Sequence, residues 1–149
     1  REACGIRFDA METKESLVHK QDPGDNAMYA FTVEGVRVGH MGDVGNPLSG
    51  EQLAFLRGVD VLLALTGGPV TIELDDLDTV LRSVQPKVVI PMHYKIPNLK
   101  LNILGLEAFT SRHPKESVEV CSRSEIELTP RSLPDRMRII ALQPAANQG

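Results

Sequence analysis

Polar and apolar positions along this chain change their period several times, and each change marks the boundary of an element. Residues 5–19 alternate loosely and end at His19, as a half-buried strand would, before the polar turn Lys20-Gln21-Asp22-Pro23-Gly24-Asp25-Asn26. Residues 27–33 and 36–40 are two β-rich runs separated by Glu34-Gly35, which predicts a hairpin. Ser49, with Gln52 three residues on, forms a capping box for a helix over about 50–57, and Gly58 suits its end. Residues 59–65 are a short apolar run suited to a strand buried on both faces, broken by Thr66-Gly67-Gly68-Pro69. Apolar residues at 74, 77, 80, 81 and 84 predict an amphipathic helix, stopped by Gln85-Pro86. A buried strand follows at 87–90. Beyond it the pattern predicts a helix over about 102–112, ended by His113-Pro114, one or two strands within 118–128 and a last strand at 137–142.

Strands that alternate with helices define a layered α/β fold, and the hairpin near the front makes its sheet mixed rather than purely parallel. Neither a repeat nor a low-complexity linker interrupts the 149 residues, so residues 1–149 are expected to form one domain.

Composition narrows the function. A net charge of −4 and a pI near 5.5, with no Lys/Arg run longer than two, exclude the basic stripe of a nucleic-acid surface. No apolar run approaches the roughly 20 residues that span a bilayer, and no secretory leader is legible. Cys4 and Cys121 match neither a disulfide framework nor a metal-ligand spacing, so the expected setting is a reducing cytoplasm. The chain starts at Arg1 and enters a strand almost at once, which is the expectation for a fragment, a processed product or a trimmed chain.

Three segments carry the candidate chemistry: His19, Gly39-His40-Met41-Gly42-Asp43, and Ile90-Pro91-Met92-His93-Tyr94. Each sets a metal-binding side chain at or just past a strand end, and imidazoles with a carboxylate are ligands that a zinc-like ion prefers. Taken singly, each has a plainer explanation: loop hydrogen bonds for Asp43, a structural strand end for His93 or His19. His40 reads as a second shell behind the ligands or as packing. His113, before a proline, reads as a surface residue, and Asp75, Asp76 and Asp78 as a solvated first turn that complements the helix dipole. No phosphate-cradling glycine loop, GxSxG serine or activated cysteine competes with the metal reading.

Taken in order, these segments over residues 5–128 resemble the metallo-β-lactamase superfamily. They are most similar to its metal-dependent hydrolases related to the ascorbate-phosphate lactonases. The resemblance implies an αββα sandwich that binds two divalent ions, zinc or manganese, and hydrolyses an ester, lactone, phosphodiester or amide bond of a small molecule. His19 would serve one metal subsite, Asp43 would bridge the two ions as the catalytic carboxylate, and His93 would serve the second. The family's His-x-His-x-Asp-His cluster is absent here, since no two histidines stand two residues apart. The chain therefore matches the second half of that sandwich, and activity is expected to need a missing N-terminal half or a homo-oligomer. Half a sandwich would also leave one apolar sheet face uncovered. The competing expectation is a metal-free interaction or dimerisation module on the same scaffold.

Overall fold

The computed structural model describes residues 1–18, 21–97 and 99–144. In chain order the elements are β1 (Glu2–Ala3), β2 (Ile6–Lys14), β3 (Asp25–Val33), β4 (Val36–His40), α1 (Gly50–Leu56), β5 (Val61–Leu65), α2 (Leu74–Val84), β6 (Val88–Met92), α3 (Leu106–Thr110), β7 (Val118–Val120) and β8 (Arg138–Ala141). The strands form one mixed sheet in the order β1-β2-β3-β4-β5-β6-β8-β7. β1 to β4 are an antiparallel meander, whereas β4, β5, β6 and β8 run parallel, with β7 parallel to β8 at the edge. This is α/β architecture of the expected mixed type.

Helices cover one face. Ser49 and Gln52 make the expected reciprocal capping box of α1. α2 has the predicted bounds and buries Leu74, Leu77, Val80, Leu81 and Val84 against Leu62, Val89 and Ile139 of the sheet. Its C-cap Gln85 takes a left-handed φ of 53°, and Pro86 then turns the chain into β6.

The opposite face carries two cross-strand rows. Phe8, Phe31, Val38, Val61 and Val88 stand in register, and Ala10, Tyr29, His40, Leu63 and Ile90 form the row beside them. The segment between β7 and β8 packs Cys121, Ile126, Leu128 and Leu133 around Val36, Val61, Val88 and Ile140. Coverage stops there: Tyr29 is exposed, and Phe8, Phe31, Val38, Leu63 and Ile90 are only half-buried. The expected apolar face is thus open on the side of the second row.

Four expectations need correction. The helix expected at 102–112 is confined to α3, because Leu104 donates to the Gly67 carbonyl (2.7 Å) and accepts from Lys95 N–H (2.8 Å), which holds the chain extended up to Gly105. The strand content expected within 118–128 shrinks to β7; Ile126 and Leu128 are spent on covering the sheet. β1 was invisible in the pattern: Cys4 (φ 51°) and Gly5 (φ 74°) make its two-residue turn, and cysteine is no turn signal. His113 is not a surface residue. Its side chain is 13% exposed, edge-on to Phe109 at 4.7 Å, and its Nε2 lies 3.9 Å from Asp78. Asp78 accordingly leaves the solvated row and pairs with Arg112 at 2.6 Å, while Asp75 stays 89% exposed.

Candidate metal centre

β4 and β6 run parallel on either side of β5, so their carboxyl ends emerge at the same end of the sheet, where open α/β sheets place their sites. Asp43 follows β4 by three residues and His93 follows β6 directly. Their side chains meet there, with His93 Nδ1 3.1 Å from Asp43 Oδ1, and are 31% and 35% exposed. Two of the three residues singled out from the sequence are brought together. The third, His19, lies outside the described residues.

The loop that presents Asp43 is fixed by close backbone approach. Gly42 has φ +65°, and a Cβ on it would stand 2.5 Å from the Ala27 carbonyl oxygen and from Asn26 Oδ1. Asn26 Oδ1 accepts the Asp43 N–H (2.8 Å), while Asn26 Nδ2 donates to the buried Thr13 hydroxyl (2.6 Å). Two residues past Asp43, Gly45 touches the exit of β2: a Cβ there would lie 2.2 Å from Ser16 N. Asn46 donates to the Glu15 carbonyl (2.8 Å) and accepts from Leu17 N–H (3.1 Å). The run that leads toward residue 19 is therefore stapled to the Asp43 loop.

His93 is held differently. Its φ of 52° is left-handed, a region that costs a residue with a Cβ roughly 1–2 kcal/mol. Such strain persists where the surroundings enforce it, and it concentrates at functional positions. Here the enforcement is visible: the Met92 carbonyl accepts Thr66 N–H (3.0 Å), and the His93 carbonyl oxygen lies 2.3 Å from where a Cβ on Gly67 would stand.

His40 sits beside the pair. Its Nδ1 accepts Gly42 N–H at 2.9 Å, so it braces the turn that carries Asp43. Burial holds its pKa below the usual histidine value, which keeps the imidazole neutral and that lone pair available near pH 7.

An imidazole and a carboxylate with donor atoms 3.1 Å apart suit neighbouring positions around one divalent ion, and their chemistry matches zinc or manganese. Among the described residues, no group of three or more His, Cys, Asp or Glu is placed to hold a metal ion. The donor types fit. Their number falls short of a full coordination shell.

Sequence reading missed Asn26, Asn46 and Gly67. Each looks like ordinary turn chemistry locally, and each acts on a partner distant along the chain. Replacing Asn26 with alanine strands the Asp43 N–H and the Thr13 hydroxyl, and should destabilise the fold by about 1–2 kcal/mol. The Asp43 amide should then exchange with solvent faster, while Asn26→Asp, which keeps the acceptor, should retain its protection. Urea unfolding and amide exchange read both; unchanged Asp43 exchange in Asn26→Ala would refute the assignment.

Comparison with known proteins places the chain in a family. Residues 2–93 match the family described as Beta-lactamase superfamily domain. A UPF0173 metal-dependent hydrolase of Alkaliphilus metalliredigens is 34% identical over 89 residues, 60% of this chain and 38% of its own length. One from Carboxydothermus hydrogenoformans is 37% identical over 71 residues, 48% of this chain and 31% of its own. The chain spans about a third of the length of the curated relatives it matches. A crystal structure from Thermotoga maritima, of a candidate Zn-dependent hydrolase of the metallo-β-lactamase superfamily, superposes with a TM-score of 0.77. It is 31% identical, over 93% of this chain and 66% of that one. On the family match, the relatives and the shared fold together, the chain belongs to the metallo-β-lactamase superfamily.

Proposed function

We propose that this chain is the second-half layer pair of a metal-dependent hydrolase that cleaves an ester, lactone or phosphodiester bond of a small molecule in the cytoplasm. The carrying observation is the contact of Asp43 and His93, which joins residues fifty positions apart at the carboxyl ends of β4 and β6. The naming of two relatives as metal-dependent hydrolases supports the same chemistry. Asp43 and His93 would hold the metal, with His19 as a further ligand and zinc or manganese as the ion. A bound dication lowers the pKa of its water toward about 7 and polarises the scissile group. Asp43 orients donor oxygens toward that position, Asn26 and Gly42 fix its loop, and neutral His40 braces the turn beneath it.

Two donors and one further histidine are too few for a dinuclear centre, so the remaining ligands must come from outside these residues. The open row Ala10, Tyr29, His40, Leu63 and Ile90 lies on the face where a second sheet would bring them, turning residues 1–149 into half of an αββα sandwich. The metal-free dimerisation module is the second reading, favoured by the same exposed face and the short ligand list.

Metal analysis and light scattering on the purified chain separate them. Bound zinc or manganese, lowered at least about tenfold in affinity by Asp43→Ala and by His93→Ala, supports the hydrolase. A metal-free dimer without esterase or phosphodiesterase turnover supports the module. His93→Gly refines the test: it should lose metal like His93→Ala while folding about 1 kcal/mol more stably, because glycine accepts φ 52° freely. Equal metal affinity in His93→Ala and the parent would remove His93 from the site.

A further inference from the structure

At the other end of the sheet from Asp43 and His93 lies an open groove of about 710 Å³. It forms where the C-terminal end of α2, the turn into β6 and the approach to β8 converge. Lys87 precedes His93 by six residues with β6 between them, so groove and metal centre stand about 20 Å apart.

The groove's charge runs against that of the whole molecule. Its lining carries Arg82, Lys87, Arg112 and Arg136 against Asp78 and Asp135, in a chain of net charge −4. Arg112 is already spoken for, forked between Asp75 and Asp78. Of the other three cations, Arg82 and Arg136 form no ion pair among the described residues, and Lys87 forms one. Among the described residues, Arg82 donates to the Thr79 hydroxyl one turn back on its own helix (2.9 Å) and to no other side chain. Lys87 stands 3.6 Å from Asp60, whose second oxygen takes the Arg37 N–H. Arg136 has neither an ion pair nor a side-chain hydrogen bond among the described residues. Arg82 and Lys87 flank the turn from α2 into β6, and the fold brings Arg136, on the approach to β8, beside them. Between them the floor is apolar, made by the buried Leu81 and Pro86 with Met137.

We infer that this groove is a binding site for a phosphorylated small molecule with a flat apolar portion. The phosphates would engage the guanidinium groups of Arg82 and Arg136 and the Lys87 ammonium, which match phosphate oxygens by charge and donor geometry. The apolar portion would lie over Leu81, Pro86 and Met137. The volume falls in the range that accommodates a ligand of this size. A nucleoside phosphate is the simplest probe of the class, and β6 is the rigid strand that joins its site to His93.

The test is an NMR titration of the isotope-labelled 149-residue chain with ATP, pyrophosphate and adenosine. ATP should shift the amides around Arg82, Lys87 and Met137 saturably. Pyrophosphate should bind the same residues several-fold more weakly, and adenosine more weakly still. The Arg82→Gln/Arg136→Gln double variant should lose about tenfold or more in ATP affinity, while Asp135→Asn should gain. All these residues are on the surface or its rim, and an unchanged melting temperature shows that the fold is intact. Shifts scattered over other basic residues such as Arg7, Arg57 and Lys115, or an affinity within twofold of the parent in the double variant, would overturn the site. Equal affinity for ATP and pyrophosphate would overturn the part assigned to the apolar floor.

Discussion

Alanine at position 67 is expected to destabilise the protein by about 3 kcal/mol and to dislodge His93, the upper part of the range for overpacking a tight site. The added methyl would stand 2.3 Å from the His93 carbonyl oxygen and 3.3 Å from Ile103. Neither side can yield cheaply. Thr66 N–H is bonded to the Met92 carbonyl at 3.0 Å, and the Gly67 carbonyl accepts Leu104 N–H at 2.7 Å, so backbone is fixed on both flanks of the clash. Gly67 does not take a left-handed φ, so the penalty is steric. Urea unfolding of Gly67→Ala measures it, with Gly50→Ala as the control: nothing lies within 4 Å of a Cβ at position 50, the first residue of α1. A loss below about 1 kcal/mol at position 67 would mean that the two strand exits are not pressed together as described.

Truncating Phe109 to alanine should cost about 3–5 kcal/mol, the range for an aromatic ring removed from a packed core. α3 has only five residues and cannot stand on its own propensity; it is held by this ring, which is fully buried against the helix-covered face. The ring also meets His113 edge-on at 4.7 Å. Loss of the ring should therefore loosen His113 and the neighbouring Arg112, which ties the end of α3 to Asp78 of α2. Urea unfolding gives the stability change, and the exchange rates of amides 110–113 report the loosening. Phe109→Leu, which refills most of the volume, should recover more than half of the loss.

α2 was legible because one apolar stripe with punctuation at both ends suffices to define a helix that packs on a sheet. The β3–β4 hairpin was legible for a similar reason: Glu34-Gly35 stands between two runs of the right length. Leu104 shows where this logic stops. Residues 102–112 have helical composition, but hydrogen bonds from Leu104 to Gly67 and Lys95 take the first part of the segment, and no local pattern encodes partners that far away. The site divides along the same line. Asp43 and His93 could be found because a strand end is a local feature and the parallel order of β4, β5 and β6 does the rest. Asn26, Asn46 and Gly67 could not, since their work is done across the fold.

The seam between the two kinds of strand pairing has a kinetic consequence. β1 to β4 pair with their sequence neighbours, across two-residue turns at 4–5 and 34–35 and a ten-residue connection between β2 and β3, whereas β5, β6 and β8 must each return over a longer connection before pairing. Asp43 hangs from the last strand of the quick meander and His93 from the slow parallel side. Their encounter is therefore expected late on the way to the native state, and a chain stalled after its meander would present Asp43 without His93 opposite it.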